Sequence, residues 1–184
     1  MKKILFLLLL SLNLYADAQS YLGVNYGYVN EDFSSADAQI SSQSIDIKAG
    51  YGVRKAYAVE IYLSYVQNRS KIFSSASSTK YDGDKYALNV AMVKSFDFGI
   101  YILPFVKAGF GAGFMKVNRT LDDKISFGSF NLDTGFYLPL GKNSDLEFGY
   151  RFKSFSFEGL DLISKTVVHT SNVNAAYLGI NFRY

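Results

Sequence analysis

The sequence predicts an all-β protein, an eight-stranded antiparallel up-and-down transmembrane β-barrel. Three observations carry that expectation. Apolar and polar residues alternate with period two through much of the chain, as in strands whose two faces meet different surroundings. The segments so defined run to ten or more residues, matching the roughly 9 to 11 that cross a bilayer at a tilt rather than the roughly 5 to 6 of soluble strands. Aromatic residues gather toward the segment ends, where a lipid-facing barrel carries two interfacial girdles. Composition agrees. Of 184 residues, 17% are aromatic, 15 are Gly, 2 are Pro and 19% are charged, fewer charges than the roughly 25% of an ordinary soluble domain. That balance argues against a helical bundle and a disordered chain, and a net charge of +3, dispersed along the chain, argues against a nucleic-acid partner.

Taken in order, the chain opens on a targeting segment. Lys2 and Lys3 form a positive region, Ile4 to Leu14 an apolar one broken only by Ser11 and Asn13, and Ala16-Asp17-Ala18 supplies small residues around a cleavage point. We expect residues 1–18 to be a cleaved signal peptide and 19–184 to be the barrel domain. The apolar region is too short to cross a bilayer as a helix, which takes roughly 20 residues. Cleavage would leave 17 basic and 15 acidic residues, a net charge of +2. The absence of Cys fits an exported chain stabilised without disulfides and removes thiol catalysis and thiolate metal sites. No cofactor or metal is expected.

Eight strands follow, near 20–30, 43–53, 56–67, 84–94, 99–116, 126–138, 144–154 and 171–184. In the second, Ile45, Ile47, Ala49, Tyr51 and Val53 alternate with Ser44, Asp46, Lys48, Gly50 and Gly52. In the third, Tyr57, Val59, Ile61, Leu63 and Tyr65 form the apolar set. The fifth holds the longest apolar run, Gly99 to Val106, which contains Pro104 and meets Lys107, so it spans nothing as a helix. In the seventh, Leu146, Phe148, Tyr150 and Phe152 alternate with Glu147, Gly149, Arg151 and Lys153; in the eighth, Leu178, Ile180, Phe182 and Tyr184 alternate with Gly179, Asn181 and Arg183. Long connections near 31–42, 68–83, 117–125 and 155–170 alternate with tight turns at 54–55, 95–98 and 139–143. Short and long connections therefore fall at opposite ends of an even-stranded meander that closes first strand on last. Tyr51, Tyr57, Phe136, Phe182 and Tyr184 lie at the short-turn end, and Tyr28, Tyr65, Phe114 and Phe152 at the other.

Parity then assigns the inward face: Asp46, Lys48, Glu60, Lys85, Lys107, Asp133, Glu147, Arg151, Lys153 and Arg183. Counting from the short turns pairs Asp133 with Arg151 and Glu147 with Arg183, within a lumen ion-pair network of Lys48, Glu60, Lys107, Asp133, Glu147, Arg151 and Arg183. A barrel of about eight strands is only just wide enough to be filled by side chains, so such a network is expected to fill the lumen rather than line a conduction path. Charges are tolerable there because they pair inside protein, away from lipid.

The amphipathic strands, the Pro104-Phe105-Val106-Lys107-Ala108-Gly109-Phe110-Gly111-Ala112-Gly113-Phe114 stretch and the terminal Gly179-Ile180-Asn181-Phe182-Arg183-Tyr184 resemble the small outer-membrane β-barrel family, the OmpA/OmpX-like and opacity-porin group. The resemblance covers the whole chain after the targeting segment and rests on pattern rather than on a chemical motif. It implies a multi-pass protein of the Gram-negative outer membrane, with the long connections outside the cell and outer-membrane lipid and lipopolysaccharide around the barrel. It also implies that Leu178, Ile180, Phe182 and Tyr184 form the C-terminal signal read by the barrel-assembly machinery, with Tyr in place of the more usual terminal Phe.

Candidate chemistry is sparse. Gly109, Gly111 and Gly113 recur every second residue on a strand, with no following helix or Lys-Ser/Thr pair, so they make room for neighbouring side chains rather than cradle phosphate. His169-Thr170-Ser171-Asn172 is similar to a string in outer-membrane lipid A deacylases, where His169 would be the base and Ser171 the nucleophile. No acidic residue follows Asn172 to complete that set, and parity turns Ser171 inward. The long loops carry Glu31, Asp32 and Asp37, then Arg69, Lys71 and Lys80, then Asp122, Asp123 and Lys124, with a Ser-rich tip at 74–78. The sequons at Asn68-Arg69-Ser70 and Asn118-Arg119-Thr120 are coincidental in a bacterial barrel. The leading expectation is a non-enzymatic protein of envelope structure or of surface interaction through its extracellular loops. A small porin-like channel and a deacylase-like enzyme are the alternatives.

Overall fold

The structure, a computed structural model, describes residues 18–33, 39–68, 73, 82–117, 124–158, 160–162, 165–167 and 170–184. The expected targeting segment up to residue 17, His169, the Ser-rich tip, Asp37, Arg69, Lys71, Lys80, Asp122, Asp123 and residues 118–120 lie outside them. Among the described residues there are ten strands: β1 Ala18–Phe33, β2 Gln39–Val53, β3 Tyr57–Val66, β4 Lys85–Ser95, β5 Leu103–Lys116, β6 Lys124–Pro139, β7 Ser144–Phe157, β8 Leu160–Leu162, β9 Lys165–Val167 and β10 Thr170–Arg183. β1 to β7 and β10 close into a barrel in which each strand pairs with its chain neighbour and β10 returns to β1, every pairing antiparallel. The closing seam runs from Tyr21↔Arg183 to Phe33↔Ser171. With no open edge, the backbone groups at membrane depth find partners in the ladder, which lipid cannot supply.

The strands reach further toward the long-loop end than alternation indicates. β1 continues to Phe33, β2 begins at Gln39, β6 at Lys124, and β7 continues to Phe157. There the outward positions become polar, as at Asp32, Ser41, Ser126 and Ser156, so the apolar signal fades while the ladder persists. The last long connection holds the small hairpin β8–β9, which the alternation does not indicate. The fifth strand starts at Leu103 rather than 99, and the turn before it spans residues 96–102. Gly99 adopts φ +73°, in the left-handed region that favours glycine, and its amide donates to Asp97 Oδ1 at 3.0 Å. The Lys55 ammonium, 2.8 Å away, and the Gly99 amide hold the Asp97 carboxyl below the usual carboxylate range.

The outward face is apolar around the circumference. Leu22, Val24, Ile47, Ile61, Leu63, Leu88, Val90, Leu132 and Leu178 are all exposed, as are Tyr28, Tyr51, Tyr57, Phe114, Phe136, Phe152, Phe182 and Tyr184 at the two ends. A protein surrounded by water rarely exposes so continuous an apolar band, whereas a bilayer requires one. Inside, rings lie over glycines of the adjacent strand. A Cβ built on Gly50 would strike the Tyr21 ring, and one on Gly149 the Tyr177 ring; on Gly135 and Gly113 it would come within 2.8 Å of Phe105 and Phe127. Each ring and its glycine are direct register partners, so missing side chains on one strand are filled from the next.

Candidate functional site: a layered barrel lumen

Nearest the short turns, Asp145 is fully buried between two guanidiniums. Arg183 Nε donates to its Oδ2 at 2.7 Å, and Arg54, from the β2–β3 turn, donates through Nε to its Oδ1 at 2.7 Å. Arg54 also donates through Nη1 and Nη2 to the carbonyls of Gly141 and Ser144, both at 2.9 Å. This corrects the expected Glu147–Arg183 pair. Register places Asn181 opposite Asp145 and Gly179 opposite Glu147, so Arg183, four residues past Gly179, lies two inward positions beyond Glu147. Asp145 lies within the expected seventh strand and on its inward parity, yet it is absent from the inward set read from the sequence.

Above this lies a ring of four charges from four strands. Lys107 Nζ donates to Glu60 Oε2 at 2.9 Å and to Glu147 Oε1 at 2.8 Å. Lys48 pairs with Glu147 and stands 3.7 Å from Glu60. The Tyr21 hydroxyl donates to Glu60 at 2.7 Å and the Asn181 amide to Glu147 at 2.9 Å. The third layer centres on Arg151, which donates to Asp46 on β2 at 2.7 Å and to Asp133 on β6 at 2.9 Å. Asp133 and Arg151 are direct register partners. The rings of Tyr62 and Tyr177 sit 5.2 and 5.0 Å from the guanidinium, and Ser64 donates to Asp46 at 2.6 Å. Next, Lys153 donates to Asn89 Oδ1 at 2.9 Å. Beside it is a cavity of about 20 Å³ lined in part by Ser44, Asp46, Ser64, Arg151 and Lys153, with room for one water.

The loop half of the lumen is apolar, a departure from a polar interior throughout. Val29, Phe33, Met115, Phe127, Phe155 and Phe157 point inward and are buried there. Phe73, reaching in from the second long connection, packs on Phe33 and Phe157 with ring centroids 6.1 and 4.9 Å apart. Lys85 is embedded in this plug. It pairs with Glu31 and lies 5.2 to 5.7 Å from the rings of Phe33, Phe155 and Phe157. The inward parity of Phe155 and Phe157, separated by Ser156, was the signal in the sequence that could have found the plug.

Ser171 is 1% exposed and donates to Glu31 Oε1 at 2.6 Å. Glu31 lies on the neighbouring strand β1. It holds Ser171 inside the lumen, away from acyl chains in the bilayer. Leu178, Phe182 and Tyr184 are exposed on the outward face, and Ile180 shares their parity on a half-buried position.

A closed antiparallel barrel with an apolar exterior and a filled interior defines an integral membrane β-barrel. Residues 4–184 match the family model described as "Outer membrane protein beta-barrel domain", and the chain belongs to that family and to the outer membrane. Comparison with curated protein sequences gives no match. Among solved structures it is similar to Neisserial surface protein A (NspA), with 16% identity, 91% of this chain and 99% of that chain covered, and a TM-score of 0.68. It is also similar to Ail, the attachment invasion locus protein of Yersinia pestis, solved with the heparin analogue sucrose octasulfate, at 16% identity, 91% and 99% coverage and a TM-score of 0.60. The outer membrane protein AlkL in lipid bilayers follows at 15% identity, with 92% of each chain covered and a TM-score of 0.54.

Proposed function

We propose that this protein is a non-conducting, non-enzymatic outer-membrane barrel that stabilises the envelope and presents its long loops to a ligand outside the cell. The observation that carries this reading is the stack of buried ion pairs, Asp145 with Arg54 and Arg183, then Lys48, Glu60, Lys107 and Glu147, then Asp46, Asp133 and Arg151, beneath an aromatic plug. Opening a path would separate charges that have no water to replace their partners, at a cost of several kcal/mol per ion. Residues 1–18 serve as the export signal, and the terminal strand, through Leu178, Ile180, Phe182 and Tyr184, is read by the barrel-assembly machinery. The basic residues Arg69, Lys71 and Lys80 make a polyanion the first surface ligand to try, as Ail was solved with one.

Single-channel recording of the folded protein in a planar bilayer tests the reading. A folded barrel, shown by different gel migration before and after boiling, should be electrically silent. Discrete openings that change with Asp133→Ala or Arg151→Ala would replace this reading with a small-solute channel. A change in lipid A acylation that is lost in His169→Ala would replace it with an enzyme.

A further inference from the structure

The barrel uses only half of the apolar run at 99–106. From Leu103 onward the run enters β5, whereas Gly99, Ile100, Tyr101 and Ile102 stay in the turn. With Phe96 and Phe98 they make the β4–β5 turn apolar, unlike the other two short turns, which carry Arg54 and Lys55, and Lys142 and Asn143. Its one charged residue, Asp97, is drawn toward the β2–β3 turn by Lys55 at 2.8 Å and accepts from the Gly99 amide at 3.0 Å. That leaves Phe98, Ile100 and Tyr101 exposed by 68, 55 and 70%, as fully as Ile47 at 60% and Leu63 at 61% on the lipid-facing wall. The Phe96 and Phe98 rings stack with centroids 6.1 Å apart. The Tyr101 hydroxyl donates to the Pro139 carbonyl at 2.6 Å, which ties this turn to the β6–β7 turn beside the exposed Leu140. One apolar surface therefore reaches across two neighbouring turns.

Left in water, such a surface is an aggregation liability. What lies alongside says what covers it. Phe96 continues the outward parity of Met92 and Lys94 past the end of β4. The Lys94 ammonium lies 4.0 Å from the Tyr57 ring centroid and 5.7 Å from that of Phe96, a lysine among rings at the height where acyl chains give way to headgroups. The turn surface is thus continuous with the lipid-facing wall, and it begins where the hydrocarbon ends. Lys55 and Lys94 adjoin it through Asp97 and Phe96, and Lys142 follows Leu140 by two residues. Cations in those places suit phospholipid phosphates.

We infer that the β4–β5 turn is an interfacial anchor, with Phe98, Ile100 and Tyr101 set into the boundary between headgroups and acyl chains of the leaflet at the short-turn end. This contact is made by a turn, outside the strand-borne aromatic girdle, and it holds one side of the barrel to that leaflet. Which leaflet it is follows from the loop-outward orientation proposed above; the contact itself does not depend on it. The chain has no Trp, so Phe98→Trp and Ile100→Trp each introduce a single fluorescent reporter at an exposed position. Each variant is refolded into phosphatidylcholine–phosphatidylglycerol vesicles, checked for folding by gel migration before and after boiling, and compared with its own urea-unfolded form. The vesicles contain lipids dibrominated either close to the headgroup or close to the chain ends. Both reporters should emit to the blue of the unfolded form and lose severalfold more emission to the shallow bromines than to the deep ones. Adding Phe98→Asp to Ile100→Trp should raise quenching by iodide, present on both sides of the membrane, severalfold. Folded reporters that emit like the unfolded form and ignore both brominated lipids would overturn the anchor. Stronger quenching by the deep bromines would overturn the boundary depth and place the turn in the hydrocarbon. Blue emission that ignores the bromines and fades as the protein is diluted in lipid would overturn the assignment to lipid, with a second copy of the chain as the cover.

Discussion

Glu147 accepts from Lys48, Lys107 and Asn181, donors on three other strands, and is completely buried. Glu147→Gln would leave two ammonium groups facing one remaining carboxylate, Glu60, and should destabilise the barrel by about 3 to 5 kcal/mol, measured as a lower urea midpoint for the heat-modifiable folded form. The exposed Lys55–Asp97 pair at the turn is a useful contrast, because Lys55→Ala should leave that midpoint nearly unchanged. On the outward face, Ile61→Lys places an ammonium among acyl chains and should cost about 2 to 4 kcal/mol in the same assay. Inward glycines are no safer for substitution. At Gly149 the Tyr177 ring occupies the space a side chain would take, so Gly149→Lys should also fold poorly, although its face is the lumen.

At the scale of elements, the lumen divides into a charged half and an aromatic half, each closed independently. Phe73 is the contribution of the second long connection to the aromatic half, fixed by its ring contacts and by its amide on Asp82 at 3.0 Å. Phe73→Ala should leave a cavity and cost about 3 to 5 kcal/mol if the surrounding rings do not collapse into it. It should nevertheless remain silent in bilayer recordings, because the layers of Arg151 and Glu147 below it are untouched. Conductance in that single variant would show that the aromatic half alone closes the lumen. The cross-strand rings act at the same scale, since Tyr21, Phe105, Phe127 and Tyr177 each tie one strand to the next over a glycine.

For the whole molecule, alternation along the strands settled the architecture because a barrel in lipid imposes one rule at every position, apolar outward and anything packable inward. Strand number, antiparallel order, and the faces of Ile61, Phe148, Lys48 and Arg151 were legible from that rule alone, and so was the pairing of Asp133 with Arg151, neighbours across one ladder. Contacts across the lumen were not. Arg151 meets Asp46 at a separation of 105 residues, and Arg183 meets Asp145 rather than Glu147, because stagger between strands decides which inward residues share a height. Parity places Ser171 inside, but only the closing seam of β1 on β10 brings Glu31 to it. The sequence by itself determined which face each strand residue occupies, a local property with period two. The tertiary structure decided the partners and the layering, because those depend on register and closure, which no single strand encodes.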